Sequence, residues 1–281
     1  RVERVLAMII TGTAIAYATV TFQTVTHNRL LTPSMMGVDS MYEVVQTVIF
    51  FFAGSASIFV VSRYLNFGLS IAAMVLFALI LYRFLFRADK HPIFLLLLAG
   101  MIIGTLLGSL VTFLQVIIDP VEYESLQSRL FASFMNVKTE LLLIALVILV
   151  ASFIYGYRLL RDLDVMSLGR ENAINLGVNY DKIVLKVLIL SSVLIATSTA
   201  LVGPITFLGL IVSNLAYQFF ATYKHSVLIV GASLISIIAL VGGQFLVLHV
   251  FQLSTTISVI INFIGGLYFI YLILKESRKA G

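Results

Sequence analysis

The 281-residue sequence contains no cysteine and little charge, and each scarcity excludes a class of protein. Without cysteine there is neither a disulfide framework nor a thiolate metal site. Charged residues are 11% of the chain and apolar residues 60%, whereas a soluble domain has about 25% and about 45–50% of them. The composition therefore indicates an integral membrane protein. Its apolar runs are continuous and lack the alternation of a membrane barrel, so an all-α, polytopic fold is predicted.

The sequence also lacks the common catalytic and ligand-binding patterns. No GxxxxGK[ST] loop occurs, so the chain is not predicted to bind ATP by that route. No pair of histidines has the HExxH spacing, and no nucleophile–base set supports an intramembrane enzyme. We therefore expect no catalytic residue, metal or cofactor. The four histidines, which lie far apart and are interpreted as solvated or structural, are His27, His91, His225 and His249.

Carboxylates are almost absent from the centres of the apolar runs. Asp39, Glu43 and Glu140 are predicted near span ends, where water is available. An intramembrane carboxylate relay is typical of many ion-coupled transporters. Its absence disfavours an ion-coupled secondary transporter of a small polar solute, which remains the alternative interpretation.

Nine apolar segments are predicted to cross the bilayer, most with the roughly 20 residues that about 30 Å of hydrocarbon requires. No internal repeat or domain boundary is evident, so residues 1–281 are predicted to form one transmembrane domain. Because the chain begins with Arg1, we expect its natural start to be missing. The segments are approximately 4–25, 42–62, 67–87, 92–118, 139–160, 183–202, 205–221, 226–248 and 256–275.

Loop charge predicts the orientation of these segments. Thirteen of the 18 lysines and arginines fall in one set of alternate loops, which the positive-inside rule assigns to the cytoplasm. The C-terminus is then cytoplasmic and Arg1 is outside. This distribution explains the net charge of +5 without a nucleic-acid partner.

The longest charged insert on the predicted cytoplasmic side is residues 158–186, RLLRDLDVMSLGRENAINLGVNYDKIVLK. Its middle, residues 167–178, predicts a short helix with Ser167 as N-cap and Gly177 at its end. Such a helix, held between two spans, can be contacted and displaced by a protein outside the bilayer. A solvated connecting loop is the alternative.

Two further features concern the outer face and the membrane interior. In the outer insert, residues 119–138, Leu126, Leu130 and Phe134 recur at helical spacing, which predicts an amphipathic helix on the outer surface, with a solvated loop as the alternative.

In the fourth segment a glycine at every fourth position makes a flat ridge, suited to helix packing or to lining a path. These glycines are Gly100, Gly104 and Gly108.

Four stretches in the same order resemble the FecCD-type permeases, the membrane subunits of ABC importers for iron-siderophores, haem and vitamin B12. The resemblance covers nearly the whole chain. SNLAYQFFATYKH and GGQFLVLHVF are similar to the subgroup that serves catecholate-type siderophores. The four stretches are RVERVLAMIITGTAIAYATVTFQTVTHNRLLTPSMMGV, SLGRENAINLGV, GPITFLGLIVSNLAYQF and INFIGGLYFIYLILKE.

The resemblance implies a ten-helix type II importer fold, of which nine helices are present and the first is missing before residue 1. It implies that the charged stretch is a coupling helix that sits in a groove of the ATP-binding subunit, although Arg170-Glu171 replaces the usual acidic pair. The coupling residues are then Gly169, Arg170, Glu171, Asn172, Ala173, Leu176 and Gly177.

The resemblance also implies roles at the outer mouth and along the path. Arg1 and Arg4 keep the spacing of the family's R-x-P-R motif, with Glu3 in place of the proline, and are expected to dock the solute-binding protein. Lining of the translocation path is expected of Gly104, Gly108 and Asn262.

The expected function is that of a non-catalytic, multi-pass permease subunit in a bacterial cell membrane, importing ferric siderophore. Its expected partners are two ATP-binding subunits that hydrolyse ATP, a second permease, identical or paralogous, and an extracytoplasmic solute-binding lipoprotein. Membrane lipid surrounds it, and no nucleic acid is involved.

Overall fold

The computed structural model describes residues 2–85, 92–135, 137, 139–252 and 255–280. This part of the chain is helical, as the continuous apolar runs predicted, and short connections join its elements. A 3₁₀ turn at Pro33–Met36 precedes the second α-helix. The helices are α1 (Val2–Thr26), α2 (Val38–Ala53), α3 (Ile58–Val61), α4 (Arg63–Leu85), α5 (Pro92–Ile117), α6 (Pro120–Leu130), α7 (Thr139–Tyr157), α8 (Leu160–Met166), α9 (Arg170–Asn175), α10 (Tyr180–Val202), α11 (Leu208–Phe219), α12 (His225–His249) and α13 (Ile257–Ala280).

Seven of the described helices are long and apolar enough to cross a membrane: α1, α4, α5, α7, α10, α12 and α13. The other two predicted spans are shorter than expected, with 16 residues in α2 and 12 in α11. The segment predicted at 42–62 breaks because Gly54, with φ 70°, ends α2 and a turn leads to α3. The segment predicted at 205–221 starts late because the backbone after Gly203-Pro204 becomes helical only at Leu208.

α1 is the central helix, and it packs against α10, α12, α11 and α7. The α1–α10 contact is close because small residues face each other, and Ser191 of α10 donates a hydrogen bond to the carbonyl of Ala18 at 3.2 Å. Its Oγ also lies 3.4 Å from the Thr21 hydroxyl. Small residues and interhelical hydroxyl bonds replace the hydrophobic effect as the source of helix association in lipid.

The connection from α1 to α2 turns back into the protein. Gly37 has φ 84°, and a Cβ at Gly104 would lie 3.1 Å from the Gly37 Cα, so both positions require the small residue. Just beyond, Asp39 is 5% exposed and accepts hydrogen bonds from the hydroxyls of Thr199 (2.9 Å) and Thr206 (3.4 Å). The expectation that Asp39 lies in water at a span end is wrong. The buried hydroxyls replace the water that the carboxylate would otherwise bind.

The outer insert forms the predicted helix, α6, but this helix is packed and does not simply lie on the surface. Asp119 caps it, accepting from the backbone N–H of Val121 at 2.9 Å. Leu126 is fully buried in a small apolar cluster with Phe50 and Val60. Phe134, predicted on the same helical face, lies beyond the end of α6 and is buried in the main core.

Candidate functional site

The charged stretch between α7 and α10 folds into two short helices, α8 and α9, rather than one helix over 167–178. The sequence predicted Ser167 as the N-cap of this helix, but Ser167 does not cap α9. Its hydroxyl donates to the carbonyl of Asp164 at 2.6 Å and its backbone N–H bonds to Leu163, so it ends α8. Gly169, with φ 99°, makes the turn and occupies the N-cap position of α9.

The C-terminal end of α9 has the geometry predicted for it. Gly177 has φ 88°, its N–H bonds to the Ile174 carbonyl at 2.9 Å, and the N–H of Val178 bonds to the Ala173 carbonyl at 3.0 Å. This pair of bonds is the Schellman motif, which satisfies the last carbonyls of a helix and needs a left-handed residue. Short though it is, α9 therefore has a defined end.

α9 is anchored at one residue and exposes the rest of its surface. Ala173 is fully buried, whereas Arg170, Glu171 and Asn172 are exposed, as is Gly177. Asn172 donates its side-chain amide to the carbonyl of Leu168 at 2.8 Å, which ties α9 to the preceding turn. Exposed apolar side chains flank the polar ones: Leu168 (57%), Ile174 (45%) and Leu176 (63%).

Arg170 connects α9 to the start of α10. Its guanidinium lies 3.7 Å from the carboxylate of Asp181 and 5.5 Å from the centre of the Tyr180 ring. The Tyr180 hydroxyl in turn lies 3.1 Å from His27 Nε2 at the end of α1. Burial lowers the pKa of His27, which favours the neutral ring in this contact. Since the ion pair is exposed, it orients Arg170 more than it stabilises the fold.

A buried histidine joins α8 to two membrane helices. His225, 2% exposed, begins α12. Its backbone N–H and ring Nδ1 lie 2.8 Å and 2.6 Å from one oxygen of Asp164, and its Nε2 lies 2.6 Å from the Thr24 hydroxyl of α1. A carboxylate only accepts hydrogen bonds, so Nδ1 donates to it. Asp164 thus caps the N-terminus of α12 from another helix, where a negative charge is favourable.

A cavity of about 500 Å³ lies beside this junction and is lined from α1, the turn after α8, α11 and α12. Gln23, Thr24 and His27 contribute from the end of α1, and Tyr217 and His225 from the later helices. The contacts among Asp164, His225 and Thr24 could not be predicted from the sequence. The residues are 61 and 201 positions apart, and no local pattern signals such a contact.

The glycines of the α5 ridge differ in their surroundings. Gly104 is covered by Gly37 of the returning connection, whereas a Cβ at Gly108 would meet no atom within 4 Å. On α13, the side-chain oxygen of Asn262 accepts a hydrogen bond from the backbone N–H of Phe207 at 3.5 Å. The structure does not bring these three residues together with the charged stretch between α7 and α10.

At the predicted outer mouth, Arg4 is half-buried on the first turn of α1, and Arg1 lies outside the described residues. Glu3, beside it, accepts a hydrogen bond from the Thr139 hydroxyl at the start of α7. Within the part of the chain that the structure describes, no three His, Asp or Glu residues are grouped to hold a metal ion.

Known proteins match this chain over almost its whole length. It is 52% identical to the petrobactin import system permease protein YclO of Bacillus subtilis (strain 168), covering 99% of this chain and 89% of that protein. It is 36% identical to the petrobactin import system permease protein FatC of Bacillus anthracis, covering 98% and 78%. With FatD, a second petrobactin import system permease protein of that organism, the identity is 26%, covering 99% and 81%.

The fold and a family model agree with these relatives. The structure resembles an inward-facing conformation of a transporter assigned to the metal-chelate ABC type, with a TM-score of 0.82 and 26% sequence identity. That match covers 98% of this chain and 87% of the other. The model of the FecCD transport family matches residues 1–275. This chain therefore belongs to the FecCD transport family.

Proposed function

We propose that this chain is the permease subunit of an ABC importer that moves a ferric siderophore of the petrobactin type into the cytoplasm. The family and the substrate named for its relatives support this proposal. The chain does no chemistry itself, and ATP is hydrolysed on two separate subunits. The ten-helix type II architecture, with residues 1–281 as a single domain, belongs to the same proposal.

The observation that carries the proposal is the exposed apolar surface of α9. Leu168, Ile174 and Leu176 lie outside the seven span candidates, between two helices that end at the predicted cytoplasmic face. Apolar side chains in water cost free energy unless a partner covers them. An ATP-binding subunit with a groove at this face would bury them, while the exposed Arg170, Glu171 and Asn172 would form the polar rim.

The contacts around α9 support a coupling role. Its end is closed by the Schellman motif at Gly177, and Ala173 seats it against the fold. Asp164 on α8 then connects it to α12 and, through His225, to α1. A displacement of α9 would reach the cytoplasmic ends of both helices, because hydrogen-bonded and packed elements move together.

The second permease subunit is proposed to be a paralogue. Bacillus anthracis has two petrobactin import permeases, and this chain is 36% identical to FatC but 26% identical to FatD. α5 and α13 are proposed as the surface for this partner; both are little buried and expose Leu106 and Phe263, which a second subunit would cover. The path between the two subunits would be lined by Gly108 and Asn262, whereas Gly104 is buried beneath Gly37 of the same chain and faces no open surface.

At the outer face, Arg1 and Arg4 are proposed to dock the solute-binding lipoprotein that delivers the cargo. Arginines at the rim of such an interface mainly set the association rate and the orientation. The C-terminus is proposed to be cytoplasmic, on the same side as α9.

The proposal is tested by replacing Leu176 with aspartate and measuring how much ATP-binding subunit co-purifies with the permease in detergent. Leu176 is 63% exposed, so Leu176→Asp should leave the fold intact. A buried charge in the interface should weaken binding about tenfold or more.

Tyr223→Asp is the matched control, since Tyr223 is an exposed side chain (65%) in the neighbouring α11–α12 connection. This variant should retain the ATP-binding subunit. Equal recovery with Leu176→Asp and with the wild type would show that α9 is not the docking element. Uptake driven by an ion gradient with no ATPase present would instead support the secondary-transporter alternative.

A further inference from the structure

A cavity of about 440 Å³ lies at the other end of the molecule, among the ends of α4, α6, α7 and α10 that are predicted to face outward. α4 and α7 both pack against α10 but contact each other little, so the cavity lies at a cleft between two largely exposed apolar helices. Its lining includes Arg63, Arg129, Asn66, Ser128, Phe67 and Leu141.

Two arginines share this cavity. Arg129 is half-buried, donates one hydrogen bond to the carbonyl of Val60 at 3.1 Å, and lies 5.6 Å from the centre of the Phe50 ring. A guanidinium has five N–H donors, so the bond to Val60 uses only one of them and leaves others able to bind a ligand. Arg63 is exposed at the rim, on the first turn of α4.

No acidic residue lines the cavity among the residues described. Two carboxylates near the cavity have other partners: Glu122 accepts two hydrogen bonds from Ser55, and Glu140 accepts one from the Tyr64 hydroxyl. Burial lowers the pKa of Arg129, and the charge of Arg63 lowers it further, against the opposing effect of Tyr42. Two cations near each other without a counter-ion are unfavourable unless an anion joins them.

The rest of the wall is divided between polar and apolar residues. Asn66, Ser128 and Ser133 supply further hydrogen-bonding groups, whereas Phe67 and Leu141 supply an apolar side. Just outside, exposed apolar side chains continue along α4 and α7, among them Leu65 (46%) and Leu143 (63%). A carboxylate on a docked protein would use the arginines but not this apolar continuation. A phospholipid would use both.

We propose that this cavity binds the phosphate of an anionic phospholipid, with Arg63 and Arg129 holding the phosphate and the acyl chains lying along α4 and α7. Paired guanidinium donors match the geometry of phosphate oxygens, and arginine is more weakly hydrated than lysine at such a site. The inference does not depend on the cargo or on the coupling role of α9.

The proposal is tested by native mass spectrometry of the complex in detergent, with phosphatidylglycerol or phosphatidylcholine added. Wild-type protein should retain phosphatidylglycerol preferentially. Affinity should fall about fivefold for each arginine replaced in Arg63→Gln, Arg129→Gln and the double variant. Arg63→Gln alone keeps the test valid if Arg129→Gln does not fold, because Arg63 is exposed.

The matched control removes two exposed arginines at the other end of the molecule, Arg158 just after α7 and Arg161 on α8, as Arg158→Gln with Arg161→Gln. It should leave phosphatidylglycerol binding unchanged. Equal retention by the wild type and the Arg63/Arg129 double variant would overturn the proposal, as would equal binding of phosphatidylcholine. If inorganic phosphate alone stabilises the protein as much as phosphatidylglycerol vesicles do, the cavity is an oxyanion site and the lipid assignment fails.

Discussion

Gly203 follows α10 in a backbone conformation, φ 100° and ψ 168°, that is almost restricted to glycine. A Cβ at this position would lie 2.8 Å from the Cα of Ala132 in the connection that follows α6. Both the conformation and the contact therefore oppose any side chain. Gly203→Ala should destabilise the protein by about 1–3 kcal/mol, which would appear as a lower Tm for the permease purified in detergent.

Gly242 is the matched control for that experiment. It lies within α12, and a Cβ there would meet no atom within 4 Å. Gly242→Ala should leave the Tm unchanged or raise it slightly, because alanine favours the helix by about 1 kcal/mol. A drop in Tm for Gly242→Ala as large as that for Gly203→Ala would contradict the local explanation.

The environment of single residues was predictable from the sequence in some cases and not in others. Asp39 reads as a hydrated residue near a span end, because the returning connection that buries it cannot be inferred from hydropathy. Its partners Thr199 and Thr206 are 160 and 167 positions away. Gly177, in contrast, was predictable, since a glycine after a helical pattern is a local signal for a left-handed cap.

At the scale of elements, the junction of α8 with α12 depends on one carboxylate. Asp164 accepts from both the backbone N–H and the ring of His225. Asp164→Ala would leave these buried donors without an acceptor and should cost about 1–3 kcal/mol. Asp164→Asn should cost less, because one amide oxygen can still accept from both donors, as the single carboxylate oxygen does, and only the charge is lost.

The measurement for this junction is the Tm of both variants, alone and combined with His225→Ala. The Asp164→Ala effect should be smaller in the His225→Ala background, because the ring contact is already absent there and only the backbone N–H contact remains to be lost. Additive effects of the two substitutions would contradict a direct interaction between the side chains.

The charged stretch between α7 and α10 was predicted only in part from the sequence. A short helix between two spans was predictable from its charge and from Gly177, but its division into α8 and α9 was not. Ser167 is an acceptable N-cap by residue type, yet its hydroxyl bonds back to Asp164 because α8 extends to Met166. Local propensity does not decide which of two adjacent helices takes a capping residue.

At the scale of the molecule, continuous apolar runs were sufficient to predict an all-helical membrane protein. They were not sufficient for the two short helices, α2 and α11. Both begin within the folded protein, beside the buried Asp39 and its hydroxyl partners. Non-helical backbone inside a membrane protein is tolerated only where the protein buries it, which hydropathy alone cannot indicate.

At the level of the assembly, we propose that ATP hydrolysis on separate subunits drives import through this permease by way of α9. Uptake of a ferric siderophore of the petrobactin type should therefore be measured in proteoliposomes that contain the complete complex, with ATP inside. Wild type should be compared with Glu171→Arg, which reverses an exposed charge on α9, and with Gly177→Pro, which removes the N–H that bonds to Ile174. We expect ATP-dependent uptake by the wild type and its loss in both variants, while all subunits still assemble in the membrane. Uptake that persists without the ATP-binding subunits, or that is unchanged in both variants, would contradict it.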